Sequence, residues 1–148
     1  MDELSHTDSR GRARMVDVGD KPDSFRTARA AGSIRLSSRA VDLIRKNEML
    51  KGDVITTAEI AGVQAAKKTW DLIPLCHNIS LNKIAVTALL TEDGVEVESE
   101  ARCRGRTGVE MEALTAVTVA LLTVYDMCKA VDESMLIKNV HLVEKIKE

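Results

Sequence analysis

From Ala113 to Val124 the chain is Ala, Leu and Val, interrupted only by Thr115, Thr118 and Thr123, and charged clusters close both ends. Gly108-Val109-Glu110-Met111-Glu112 precedes the run and Tyr125-Asp126-Met127-Cys128-Lys129 ends it. A helix that is apolar on nearly every side needs protein around it, so the fold must wrap this segment and draw the end charges partly inward. At about 1.5 Å per residue, positions 112 and 126 lie roughly 21 Å apart and close to four turns apart, near one face. One small-molecule site uses both only if a two-fold axis brings the Glu112 end of one subunit to the Asp126-Lys129 end of its copy.

The remaining sequence supplies the wrapping. Residues 1–13 read as a flexible polar tail and residues 14–148 as a single domain, the size at which one core buries most of the apolar surface. A short extended piece at Met15-Val16-Asp17-Val18 leads through a loop at residues 19–23 to a weak strand from about Phe25 to Leu36. Ser37-Ser38 then caps a short, surface-lying helix to about Met49. A longer helix restarts at Gly52-Asp53 and runs to about Trp70; Pro74 forbids its continuation, leaving Leu75-Cys76-His77-Asn78 as loop. Ile84, Val86, Ala88 and Leu90 alternate, Asp93-Gly94 turns, and Val95, Val97 and Ser99 return, the pattern of a β-hairpin. After the apolar helix a last strand is expected from about Met135 to Lys145, with Ile137, His141 and Val143 on one side. The expected class is α+β, a ferredoxin-like split βαβ with an antiparallel sheet and helices packed on one face.

Composition excludes several functions. Net charge is −2, with 21 basic and 23 acidic residues, so no global basic field attracts nucleic acid. Phe25, Trp70 and Tyr125 are the only aromatics, and Val95–Arg104 has none, which removes the stacking surface of an RNA recognition module. Cys76, Cys103 and Cys128 lack C-x-x-C spacing, as in a reduced cytoplasmic chain. Met1–Arg14 has no apolar leader, and the apolar helical run falls short of the roughly 20 residues that span a bilayer, so no membrane association is expected.

Several polar residues carry a chemical and a plain reading side by side. Asp126 and Lys129, three apart on a helix, are either a surface ion pair or a proton-transfer pair tuned by burial. Glu110 and Glu112 either favour the positive helix start or join a site. Lys51-Gly52-Asp53 is an anion site or a capped helix start. Arg102, Arg104 and Arg106 alternate ahead of the long helix, with Gly105 and Gly108 permitting close approach to phosphate, although no Walker A sequence is present. Cys76-His77 lacks a companion pair at zinc spacing, so no metal site is expected, and His77 reads as a hydrogen-bonding or proton-transfer residue. His6, in the tail, and His141, on a strand face, are given no role.

Five ordered motifs go further: Lys51-Gly52-Asp53-Val54; Ala61-Gly62-Val63-Gln64-Ala65-Ala66-Lys67; Trp70-Asp71-Leu72-Ile73-Pro74-Leu75-Cys76-His77; Thr107-Gly108-Val109-Glu110-Met111-Glu112-Ala113-Leu114; and Tyr125-Asp126-Met127-Cys128-Lys129-Ala130. Together they resemble the MoaC family, the cyclic pyranopterin monophosphate synthases of molybdenum cofactor biosynthesis, from about Met15 to the final strand. The resemblance implies a lyase acting on a cyclised dihydro-GTP made by a radical S-adenosylmethionine GTP cyclase, with pyrophosphate as the leaving group. It also implies a homohexamer, a trimer of dimers with sites at the dimer interface. By motif, Asp126 would be the acid/base residue, assisted by Lys129 and Lys51. Leu75, Cys76, His77, Glu110, Met111, Glu112 and Arg26 would bind substrate. No cofactor is required, and Mg2+ accompanies the triphosphate if any ion does. Asn78-Ile79 follows His77 where the family pattern commonly has Pro-Leu, which leaves the loop less constrained. The rival expectation is a non-catalytic nucleotide-binding oligomer that uses Arg104, Arg106 and Lys51 only to hold phosphates.

Overall fold

A computed structural model describes residues 5–148. The elements run β1 (Ser24–Arg35), α1 (Ser38–Arg45), α2 (Val54–Lys67), α3 (Thr69–Leu72), β2 (Lys83–Leu90), β3 (Gly94–Gly105), α4 (Glu110–Cys128) and β4 (Leu136–Lys147). All strand pairs are antiparallel and the sheet order is β2-β3-β1-β4, the ferredoxin-like split βαβ arrangement of an α+β domain.

Period-two alternation explains why the helices take one face of the sheet. Val95, Val97, Ala101 and Cys103 of β3 and Ala28, Ala30 and Ile34 of β1 point inward and are buried, while the alternate residues of β3, Glu96, Glu98, Arg102 and Arg104, are exposed. Against the inner face lies α4, burying Ala113, Ala116, Val117, Ala120, Leu121 and Val124. Small residues let α2 approach α4 closely: a Cβ on Gly62 would stand 2.9 Å from the Ala116 carbonyl oxygen. By length and composition alone α4, at 19 residues, is apolar enough to cross a bilayer, contrary to the expectation from its apolar run. Its packing against α2 and the sheet gives that apolarity a partner within the fold. One stripe of α4 stays open in the subunit, with Met111, Leu122 and Tyr125 exposed.

Element ends differ from expectation for identifiable reasons. α1 stops at Arg45, not Met49, because Asn47 is left-handed (φ 54°) and a Schellman closure forms. In it Glu48 N–H donates to the Leu43 carbonyl (2.8 Å) and Asn47 N–H to that of Ile44 (3.0 Å). The helix is not merely surface-lying, since Ala40, Val41 and Ile44 are buried. α2 breaks at Lys68 (φ −111°, ψ 12°), and Trp70 belongs to the separate turn α3. The Thr69 hydroxyl, fully buried, donates back to the Ala65 carbonyl (3.1 Å) across that break. The pairing of β4 with β1 shifts register between Arg29 and Ala30 and between Ala31 and Ser33, and Asn139 of β4 has φ 59°, so its alternation changes phase. Leu142, rather than His141 or Val143, shares the inward side with Ile137.

The β2–β3 hairpin closes as its sequence predicts: Thr91 Oγ1 accepts the N–H groups of Asp93 (3.3 Å) and Gly94 (3.1 Å). Gly94 is required there, because a Cβ would overlap the Ile34 carbonyl of the neighbouring strand. Within the expected tail, residues 1–4 lie outside the described residues. Beyond them the chain folds back on itself: Arg14 N–H donates to the His6 carbonyl (2.8 Å) and Asp8 N–H to that of Arg12 (2.9 Å). Met15–Val18 runs without a ladder partner in the sheet.

Candidate active site

A cleft of about 390 Å³ opens at the N-terminal end of α4. Arg26 from β1, Leu75, Cys76 and His77 from the loop after α3, and Glu110, Met111 and Glu112 from the first turn of α4 all line it. Every residue expected to bind substrate is thus gathered in one concavity. Thr107 and Gly108 contribute the rim, and a Cβ on Gly108 would overlap the Glu110 carboxylate that folds back over it. Ser99 Oγ, buried in β3, donates to the Ala113 carbonyl (2.7 Å) and fixes the first turns of α4 against the sheet.

Local bonds decide what each wall residue offers. The His77 Nε2–H donates to the Val16 carbonyl (2.6 Å), since a carbonyl only accepts, and Nδ1 is the nitrogen not engaged in that bond. This bond and the partly buried Ile79 anchor the loop that Asn78-Ile79 was expected to loosen. Arg26 donates through Nη2 to the Arg106 carbonyl (3.4 Å), while its Nε is buried and has no partner among the described residues. An unpaired buried donor costs about 1–3 kcal/mol, which an anionic ligand in the cleft would offset.

Glu112 is the buried acid of the site, only 5% exposed. Burial pushes its pKa up, the nearby Glu110 carboxylate adds to the rise, and its own backbone N–H opposes it. Burial, reinforced by Glu112, likewise raises the Cys76 thiol, so that side chain is a neutral wall rather than a thiolate. Such a wall of Leu75, Cys76, Met111 and the buried Glu112 carboxyl suits a flat heterocycle that offers hydrogen-bonding edges.

A second cluster occupies the opposite end of α4. Lys129 Nζ lies 3.0 Å from Asp126 Oδ1, and Lys51 Nζ lies 3.0 Å from Oδ2 and 3.3 Å from the Asp126 carbonyl. Lys51 reaches it because Met49, buried, anchors the turn after α1 and Gly52 (φ +98°) redirects the chain into α2. Asp53 caps α2, accepting the Thr56 N–H (3.1 Å), so Lys51-Gly52-Asp53 is a capped helix start whose lysine points to Asp126. Hydrogen bonds from Lys129 and then Lys51 hold the Asp126 carboxyl below its usual range. Within one subunit these side chains are about half exposed, so the burial expected for both ends of the helix holds for Glu112 and not for Asp126.

None of the three arginines is among the residues that line the cleft. The Arg102 Nε pairs with Glu100 (2.6 Å), Arg104 stacks 5.4 Å above the Phe25 ring, and the Arg106 guanidinium pairs with Asp23 (3.5 Å). Arg102 and Arg104 belong to β3, not to the loop before α4. The cleft wall also holds Lys21 and His6, which no motif or spacing in the sequence singles out. Their signal was absent, since only the fold-back of residues 6–14 carries His6 to the wall. Among the described residues no group of three or more His, Cys, Asp or Glu side chains is placed to hold a metal.

Fold and site together define a ferredoxin-like α+β protein with a polar cleft at one end of its core helix and an Asp-Lys-Lys cluster at the other. The MoaC family model matches residues 15–147, and the chain belongs to that family. It is 54% identical over 145 residues to a Novosphingobium aromaticivorans protein named cyclic pyranopterin monophosphate synthase, covering 98% of this chain and 92% of that one. A Peptoclostridium acidaminophilum protein of the same name is 48% identical over 143 residues, covering 97% of this chain and 91% of its own. Drosophila melanogaster molybdenum cofactor biosynthesis protein 1 is 54% identical over 145 residues; the match spans 97% of this chain but 26% of that longer protein.

Proposed function

We propose that this chain is an enzyme of molybdenum cofactor biosynthesis, a phosphorus-oxygen lyase that converts 3',8-cyclo-7,8-dihydroguanosine triphosphate into cyclic pyranopterin monophosphate and pyrophosphate. One observation carries the assignment: the residues expected to bind substrate line a single cleft, and the three expected to transfer protons form a single ionic cluster. In this reading the purine-derived ring lies against Leu75, Cys76, Met111 and Glu112. Arg26 meets the phosphates with its unpaired Nε–H.

Rebuilding the ring moves protons, and Asp126, held ionised by two lysines, is the base. Ring closure at phosphorus forms a bond from a sugar oxygen to the α-phosphorus and breaks the bond to the β-phosphate, whose electron pair leaves with pyrophosphate. Lys51 and Lys129 are the cations placed to stabilise that charge. A divalent ion such as Mg2+ would enter with the triphosphate.

Because the cleft and the cluster stand about 21 Å apart on α4, the working site is built from two subunits. The stripe of Met111, Leu122 and Tyr125 joins the two ends of α4 and supports a two-fold contact there. A homohexamer of three such dimers, located in the cytoplasm and fed by a radical S-adenosylmethionine GTP cyclase, completes the proposal. The free thiols Cys76, Cys103 and Cys128 fit that compartment. The test is to supply the cyclised dihydro-GTP and quantify pyrophosphate and pterin; a well-folded wild-type protein that forms neither would refute the assignment.

A further inference from the structure

We infer that His6 is a substrate-binding residue, held against the cleft by a folded arm formed by residues 5–14. Four observations place it there. Ser5 and His6 both line the cleft, on the same wall system as Arg26 and His77. The arm is closed by the bridge between Thr7 and Ala13 and by the Arg14 N–H donated to the His6 carbonyl (2.8 Å). Asp8 pins its turn, since Oδ1 accepts the N–H groups of Arg10 (2.8 Å) and Arg12 (3.0 Å) and Oδ2 pairs with the Arg12 guanidinium (2.9 Å). Just after the arm, the Val16 carbonyl is bound by His77, so the segment is tied directly to the loop that forms the other side of the cleft.

The ring itself is oriented for a ligand. Nδ1 is engaged by Ser5 Oγ (2.9 Å), which leaves Nε2 as the nitrogen directed to other partners, and the side chain is exposed rather than packed. The charge balance of the cleft shows what it would meet. Within one subunit the wall carries Lys21 and Arg26 beside Glu112 and beside Glu110, which pairs with Lys145 (3.8 Å), few free cations for a nucleoside triphosphate. A further donor on the wall would therefore contact a phosphate or sugar oxygen. Asp8 does not touch the cleft; it is a positioning residue that acts through the turn.

This inference rests on the function proposed above, and the experiment separates the two. Steady-state kinetics on the cyclised dihydro-GTP are compared for the full-length wild type, His6→Ala, His6→Gln and Asp8→Ala, with thermal melts and sedimentation recorded for each. His6→Ala is expected to raise KM about tenfold with kcat within about twofold, the effect of one lost hydrogen bond to a charged group. His6→Gln, which keeps an N–H donor, should recover part of the loss. Asp8→Ala should raise KM less, without lowering the melting temperature of residues 15–148 or changing the oligomer. A wild-type KM in His6→Ala, or a fall in kcat alone, would overturn the role of His6 while leaving the cleft assignment standing. An inactive wild type would overturn both.

Discussion

Glu112 and Asp126 stand at opposite ends of α4 and in opposite electrostatic states: burial pushes the first carboxyl up, whereas Lys129 and Lys51 hold the second down. Acids whose pKa values are pushed apart in this way are suited to different roles at one pH. Both would reach one substrate only if two subunits meet, because about 21 Å of helix lies between them.

Removing the base tests its role without unsettling the fold. Asp126 is exposed in the subunit, so Asp126→Asn should melt near the wild-type temperature while kcat falls by about 10²- to 10⁴-fold. Lys129→Ala and Lys51→Ala should each reduce turnover as well, since each takes one partner from an Asp126 oxygen. Unchanged turnover in all three variants would remove the assigned chemistry.

Glu112 gives a pH dependence of stability whose sign follows from its burial. Its folded pKa lies above the ordinary value of 4.5, so between those two values the folded state holds more protons than the unfolded state. The contribution is fully present below pH 4.5 and is lost as pH rises through the folded value. Glu112→Gln does not titrate, so its melting temperature should gain on the wild type as pH rises from 4.5 towards 8. Parallel melting curves across that range would contradict the burial assigned to this carboxyl.

How far the sequence could be read depended on the range of the interactions. Alternation at Ile84–Leu90 and Val95–Ser99, the serine cap at Ser37 and the apolar run of α4 are local signals, and each produced the element it predicts. The residues that line the cleft were named through the resemblance of their motifs to the MoaC family, not through periodicity or spacing. What failed was non-local or depended on backbone detail. The left-handed Asn47 ends α1 early, the phase change near Asn139 turns His141 outward, and the Glu100, Phe25 and Asp23 partners of the three arginines come from pairings that spacing does not reveal. His6 belongs to the same class, since its place is fixed by bonds formed only after residues 6–14 fold back.

Asp132 is a structural acid with a measurable cost. It is 4% exposed and accepts the Ser37 N–H (2.6 Å) together with the Ser134 N–H and hydroxyl (both 2.9 Å), joining the turn after Lys129 to the start of α1. Burial opposes its ionisation, but these bonds outweigh it and hold the carboxyl below its usual range. Asp132→Ala removes the acceptor of the half-buried Ser37 N–H and unties the turn at Ser134, and should cost about 1–3 kcal/mol in denaturant unfolding. A loss under about 0.5 kcal/mol, the usual size for a surface change, would show that the tie is not structural.

In the core, Leu121 is fully buried where α4 meets β1, and a Cβ on Gly32 would stand 3.0 Å from its Cδ1. Leu121→Ala should lower unfolding free energy by about 2–5 kcal/mol, since so tight a site closes poorly over the lost methyl groups. Denaturant midpoints with an unchanged m-value would measure it. A midpoint equal to the wild type would contradict the packing described.

The shared site is tested most directly by subunit complementation. Glu112→Ala and Asp126→Asn chains, the first lacking the cleft carboxyl and the second the base, are unfolded together, refolded as a mixture and assayed with the cyclised dihydro-GTP beside each variant alone. If each site takes Glu112 from one subunit and Asp126 from the other, a mixed dimer regains one intact site of two, and random pairing restores about a quarter of wild-type activity. If both residues act within one chain, the mixture stays as inactive as its components, and the two-subunit site is wrong.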